Sequence, residues 1–427
     1  MTIERNAACS TSAVRPDAGR QRGFTLVELL VAMAITTIIL GTTMMAMNDA
    51  IKATDSAAQI SDLNNGLRTA MDMMVRDALQ VGQGLPTGRT IGLPYGNNSS
   101  PMQLPGPIDS NFQLDGPSFC PPDPNDVTPD FVCEQITAVV PGPGRGPVLT
   151  EDGQPTDMIT MVEADSAFDQ VPLTAFGANG ASITVALPDL VAPIDNGKSP
   201  RGLNITNGGA DDIDAGDLIM LTKGSTSVLV QVTRQPVANS QQIFFDTADS
   251  LGLNQQGVSS LVGGVTVWNP SGTAAELRMQ APADTAAGTN GLIQTIATRI
   301  RLITYYLDVT TDPRRPRLIR RMNNGHPTNF DNALGTVVAF DVENLQISYD
   351  LTDGVNRTLT NVRMDDADLD GSGRCNPRAC SPNQVRKVNF VLTGRTRLPL
   401  RSTRQFAHKT LVTQVSLRSL AFVDRYR

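Results

Sequence analysis

An apolar run dominates the N-terminal part of the chain. From Phe24 to Met47 it reads FTLVELLVAMAITTIILGTTMMAM, 24 residues whose only charge is Glu28. A helix of that length rises far enough to cross a hydrocarbon core about 30 Å thick. Beyond Asn48 the pattern becomes a helical stripe. Ala53, Ala57, Ile60, Leu63, Leu67, Met71, Met74 and Ala78 recur at intervals of three and four, with Lys52, Asp55, Asp62, Arg68, Asp72 and Arg76 between them. One helix therefore continues from a membrane segment into an amphipathic one, and Gly82, Gly84 and Pro86 mark its end. From Phe24 to about Val81 it would be roughly 85 Å long, more than a bilayer needs.

After the helix the pattern breaks. Residues 83–156 are punctuated by GLPYGNNSSP, LPGPID, CPPDPNDVTPD and PGPGRGP, and read as a surface-hugging region with little regular structure. Leu104, Phe112, Leu114, Phe119 and Phe131 imply that it packs on something. From residue 157 to 427 apolar and polar positions alternate as in strands. The candidates are Met158–Glu163, Ala181–Ala186, Asp217–Thr222, Ser227–Thr233, Gln242–Phe245 and Gly264–Trp268. A second set is Ala297–Val309, Arg317–Met322, Thr336–Phe340, Leu345–Tyr349, Val385–Thr393 and Leu411–Leu417. The third and fourth pair across the turn-forming KGST. A weak division falls near 270–292. The expected fold class is α+β: a long N-terminal helix followed by a β-rich globular head.

Composition agrees, with Gly 36 and Pro 28 against 4% aromatics favouring turn-rich β structure over a helical bundle. The net charge of -7 gives no general basic surface for nucleic acid, which is not an expected partner. Arg15, Arg20 and Arg22 precede the apolar run and no cationic cluster closely follows it. The N-terminus should stay cytoplasmic while the rest is exported. Of the five cysteines, Cys9 lies before the run; Cys120, Cys133, Cys375 and Cys380 remain in two close pairs, as an oxidising compartment would favour. The gaps favour Cys120 with Cys133 and Cys375 with Cys380. Free thiols or a zinc site are the alternatives, although neither gap is that of a C-x-x-C knuckle.

Glu28 is the anomaly. A carboxylate near the bilayer centre costs about 2.5–3.5 kcal/mol on insertion scales. In the first turn of a helix it would also favour the macrodipole and reach the headgroups. If the chain were cut before Phe24, a new ammonium would appear at the same helix end. An ammonium and a carboxylate about 4 Å apart attract by roughly 4 kcal/mol at an effective dielectric of 20.

Gly23-Phe24-Thr25-Leu26-Val27-Glu28, with a basic leader before it and an apolar helix after it, resembles the class III signal of type IV pilins and type II secretion pseudopilins. The resemblance implies a leader of residues 1–23, cleavage by prepilin peptidase after Gly23 and N-methylation of Phe24. It also implies that Glu28 pairs with the amino terminus of a neighbouring subunit. Residues 24–82 would form the transmembrane and assembly helix, and 157–427 a periplasmic head beyond the 83–156 loop region. Unlike many major pilins, the helix has no proline near Met44–Met47; Gly41 could supply flexibility there. Spans such as TYYLDVTTDPRRPRLIRRMNNG, VAFDVENLQISYDLTDG and LVTQVSLRS are similar to the order of segments in PilW-type minor pilins, with the J-type minor pseudopilin as a related possibility. Implied partners are other pilin or pseudopilin subunits, prepilin peptidase, an inner-membrane assembly platform and the bacterial inner membrane. Removing the leader leaves 31 basic against 40 acidic residues, a net charge of -9.

Other candidate chemistry is sparse. Asp366, Asp368 and Asp370 before Gly371 match the start of a calcium loop, but Pro377 replaces the bidentate Glu at the twelfth position; a solvated acidic loop is the alternative. No cofactor is required, calcium being the one candidate. APIDNGKS, residues 192–199, fits a loose phosphate-loop pattern, but Pro200 follows where a helix should begin. His326 and His408 lack a nucleophile motif, so the chain is not expected to be an enzyme. One ring of the Tyr305–Tyr306 pair should enter the core. Arg314, Arg315, Arg317, Arg320 and Arg321 read as a solvated hairpin or as a contact with an acidic neighbour subunit, with DNA the less favoured alternative. A membrane-anchored exported hydrolase or receptor, with its span uncut, is the reading from another class.

Overall fold

The computed structural model describes residues 24–85, 90–93, 102–106, 112–114, 135–149, 153–165, 170–176, 182–185, 213–223, 226–234, 242–245, 249–254, 260–262, 265–268, 295–323, 335–352, 358–370, 372–376 and 380–420. The chain divides into two compact units, Met1–Ala57 and Ala58–Arg427. The first contributes the beginning of helix α1 (Leu26–Gln80), with apolar side chains from Leu26 to Met47 exposed. The threonines of this stretch turn inward onto the helix backbone. Thr36 Oγ1 donates to Ala32 O at 2.6 Å, Thr37 Oγ1 to Met33 O at 2.9 Å and Thr42 Oγ1 to Ile39 O at 2.9 Å, while Thr43 bonds the same Ile39 carbonyl. Such back-bonding removes hydroxyls that hydrocarbon could not satisfy.

In the second unit α1 turns amphipathic. Leu63, Leu67, Ala70, Met71, Met74 and Ala78 are buried, which is the stripe that the three- and four-residue spacing predicts. Further up the same stripe Ala53 and Ala57 are exposed, and Ile60 is 39% exposed. The helix stops at Gln80 because Gly82 (φ 74°) and Gly84 (φ 70°) adopt left-handed backbone that other residues resist. Gly82 N then donates to Val162 O at 2.9 Å, starting the chain along the sheet.

The strands follow in chain order: β1 (Thr90–Gly92), β2 (Met102–Leu104), β3 (Phe112–Leu114), β4 (Gln135–Thr137), β5 (Val139–Gly142), β6 (Met158–Ala164), β7 (Val171–Phe176), β8 (Ser182–Val185), β9 (Leu218–Lys223), β10 (Thr226–Gln231), β11 (Gln242–Phe244), β12 (Ser260–Val262) and β13 (Val265–Trp268). Then come β14 (Ile296–Asp308), β15 (Arg317–Met322), β16 (Thr336–Phe340), β17 (Val342–Thr352), β18 (Thr358–Val362), the short helix α2 (Asp366–Asp370), β19 (Val385–Arg395) and β20 (His408–Ser416). The fold is α+β, as the pattern predicts.

A 12-stranded sheet is organised around β14, whose 13 residues serve four partners. Its first half pairs with β7 and β9, its second with β6 and β15. A separate four-stranded sheet runs β18-β17-β19-β20. The chain passes from one sheet to the other at a single residue, Asp341 (φ 61°), between β16 and β17. Asp tolerates this conformation better than most side chains. Its carbonyl also accepts Arg395 N at 2.9 Å, which ties the crossing to the end of β19.

Three expectations need correction. The 83–156 region is not all irregular: β1, β4 and β5 from it join the 12-stranded sheet, because Ile91, Ile136, Val139 and Val140 bury completely or nearly so. Short strands broken by Pro and Gly leave too little alternation to read. Both rings of the tyrosine pair are buried, Tyr305 toward α1 and the four-stranded sheet and Tyr306 in a second apolar cluster, since β14 is covered on both faces. The arginine cluster is not simply solvated: Arg317 pairs with Asp308, and Arg320 with Asp77 of α1. Strands β7, β12 and β18 also lie outside the predicted set.

Candidate assembly site

Thr25 sits just before α1 and Glu28 in its first turn. Thr25 N donates to Glu28 Oε2 at 3.1 Å, while Glu28 N donates to Thr25 Oγ1 at 3.2 Å. The threonine hydroxyl also donates to the same carboxylate oxygen at 3.1 Å. This reciprocal pair is a capping box, in which side chains satisfy helix-end N–H groups that have no partner of their own. The T-x-x-E spacing carries that signal in the sequence. The box holds Glu28 at the positive end of the helix dipole and close in sequence to Phe24. Phe24 is 85% exposed; Gly23 lies outside the described residues. The arrangement exposes an apolar side chain and an acid at the start of an apolar run whose Thr36, Thr37, Thr42 and Thr43 hydroxyls are turned onto the backbone.

Where α1 meets the head, its last two turns carry a buried polar lock. Asp77 is only 6% exposed, and its Oδ2 accepts Tyr305 OH at 2.6 Å and Arg320 Nε at 2.6 Å. One carboxylate thus fastens the helix to β14 and β15 together. Burial, then the Asp77 charge, pushes the Tyr305 hydroxyl well above its ordinary range, so it stays a donor. Beside them Glu163 of β6 is 4% exposed. Burial and the Asp77 charge push its carboxyl up to about 7, against the opposing pull of Arg301 and Arg320. The Gln80 amide, with its NH2 turned inward, donates to both Glu163 oxygens at 3.3 and 3.2 Å.

A second carboxylate joins the two sheets. Asp157, 1% exposed, takes Gly144 N at 2.7 Å and Arg363 Nη2 at 2.7 Å on Oδ1, and Ile347 N at 2.8 Å on Oδ2. The contacts of Asp77 with Tyr305 and Arg320, and of Asp157 with Ile347 and Arg363, join residues 190 to 243 positions apart, and nothing in the local sequence announces them.

Cys375 and Cys380 are joined, with Cα atoms 5.5 Å apart, whereas Cys120 and Cys133 lie outside the described residues. Asp368 spends both carboxylate oxygens on its own loop, accepting Met364 N at 3.1 Å and Arg374 N at 2.8 Å. The Asp366 and Asp370 side chains lie outside the described residues, and among those described no group of three or more His, Cys, Asp or Glu could hold a metal. His408 bonds Glu343 through Nδ1 at 2.9 Å; His326 and the 192–199 segment are outside the description.

A family model described as the prokaryotic N-terminal methylation motif matches residues 19–44, which span the Gly23–Phe24 junction, the capping box and most of the apolar run. This motif supports a type IV pilin-like or pseudopilin-type protein. It implies processing by prepilin peptidase and association with pilin-type subunits, and with the apolar helix it is consistent with membrane anchoring. No curated protein and no solved structure matches the chain.

Proposed function

We propose that the chain is a minor pilin of the PilW type: a non-enzymatic subunit, cut after Gly23 and N-methylated on Phe24, that enters a type IV pilus through α1 and displays its head on the exported side. The observation that carries the reading is the exposed Thr25–Glu28 box at the start of an otherwise polar-masked apolar helix. In hydrocarbon an unpaired carboxylate is costly, and a neighbouring subunit's amino terminus would neutralise it. The uncovered continuation of the α1 stripe at Ala53, Ala57 and Ile60 supports the same conclusion, since it offers helix surface to other helices. The J-type minor pseudopilin would use the same parts in a secretion system.

Two substitutions separate docking from capping. Thr25→Ala removes half of the box and keeps the carboxylate; Glu28→Gln keeps a hydrogen-bonding partner and removes the charge. On this account Glu28→Gln abolishes recovery of the subunit in sheared filaments, while Thr25→Ala lowers it modestly. Equal losses would make Glu28 a cap and no more.

A further inference from the structure

Between Gly371 and Val423 the chain carries ten Lys and Arg and not one Asp or Glu, although the whole protein is at -7. Part of this cationic run is gathered in the connection between β19 and β20. There the sequence is Arg395-Thr-Arg397-Leu398-Pro-Leu-Arg401-Ser-Thr-Arg404, exposed from Arg397 to Pro399 and again from Arg401 to Arg404. Leu398 is 59% exposed in the middle of it. Arg395 holds the loop in place: Nη1 pairs with Glu343 at 2.9 Å, Nη2 donates to Arg314 O at 2.7 Å, and the guanidinium lies 4.6 Å from the Phe406 ring centroid. The bond to Arg314 brings the β14–β15 connection alongside, where Arg315 stacks on the Phe340 ring at 4.2 Å and Phe340 is itself 47% exposed. Arg315, Arg397 and Leu398 share an open groove of about 490 Å³ with Gln59, Asp62 and Leu63 of α1. An apolar tip ringed by arginines is the pattern of a surface that rests in a headgroup layer.

Its place in the chain gives it a bilayer to rest on. Gln59, in the groove wall, follows Met47, the end of the apolar run, by only twelve residues. Even fully extended, that length of chain reaches no more than about 43 Å. We propose that the 395–404 arginine loop is a lipid-contact element that seats this end of the head on anionic phospholipid headgroups. It requires only that the apolar part of α1 lie in lipid, not that the chain enter a filament. Each basic side chain near an anionic surface changes the occupancy of such a contact by about fivefold at moderate ionic strength, the ratio equivalent to about 1 kcal/mol.

The test uses the full chain in lipid nanodiscs, of phosphatidylcholine alone or doped with phosphatidylglycerol. Hydrogen exchange is followed on peptides covering 395–409. Slower exchange in the anionic discs is expected, released by high salt and lost in the Arg397→Glu/Arg401→Glu/Arg404→Glu variant. The salt arm uses the wild-type protein, so it stands even if the triple variant folds poorly. Equal exchange in the two lipids would overturn the proposal. Protection that follows protein density rather than lipid charge would also overturn it, in favour of contact with an acidic region of another copy. Failure of the chain to enter discs at all would instead count against membrane anchoring.

Discussion

Two buried carboxylates that feel each other's charge have different partners. Asp77 is matched by Arg320 and Tyr305, whereas Glu163 is buried beside Asp77 and raised to about 7. In the unfolded chain Glu163 would lose its proton near 4.5. Between those two pH values the folded state therefore binds the extra proton, so stability falls as pH rises through the interval and is level above it. Glu163→Gln keeps the group neutral and keeps a partner for Gln80. It is expected to stabilise the head by on the order of 2 kcal/mol at pH 8 and to leave it unchanged at pH 4.5. Urea unfolding in detergent micelles at the two pH values checks this; an equal effect at both would mean that Glu163 titrates alike in the folded and unfolded chain. Little of this was legible, because burial of Glu163 depends on a strand and a helix end about 80 residues apart. The Thr25–Glu28 box was legible in principle, since both partners lie within one turn.

At the scale of elements, α1 shows how far periodicity reaches. Its apolar run, its stripe from Leu63 to Ala78 and its stop before Gly82 all follow from spacing and glycine chemistry. What periodicity omits is the polar lock. Asp77 falls among apolar positions that needed no charge, and its partners come from β14 and β15. Removing one member of a buried ion pair strands the other. Asp77→Ala should thus cost about 3 kcal/mol, while Asp77→Leu combined with Arg320→Met should cost much less. Urea midpoints of the wild type and both variants decide it, and equal losses would show that the pair itself, not the stranded charge, matters. The strands are most legible where the apolar-rich segment is long, as in β6, β14 and β19, and least in β1 to β5, where Pro and Gly interrupt it. The sharp crossing at Asp341 was invisible for a different reason: β16 and β17 are contiguous in sequence and separate only through one residue's backbone.

For the whole molecule, the sequence divides the labour clearly between a membrane-type helix and a strand-rich head, and the structure agrees in class. The topology was beyond reach, because a 12-stranded sheet built around β14 is specified by pairings between distant segments. The functional reading rests on the opposite kind of information, a short local signal from Arg20 to Glu28 embedded in residues 19–44. That signal makes one claim ahead of all others: the mature chain begins at Phe24. The direct measurement is the intact mass and N-terminal sequence of the protein recovered from its native membrane. The account predicts a chain that starts at Phe24 and is one methyl group heavier than its unmodified sequence from that residue. A chain that retains residues 1–23 would contradict it, leaving Glu28 as a helix cap and the protein as a membrane-anchored one whose helix never enters a filament.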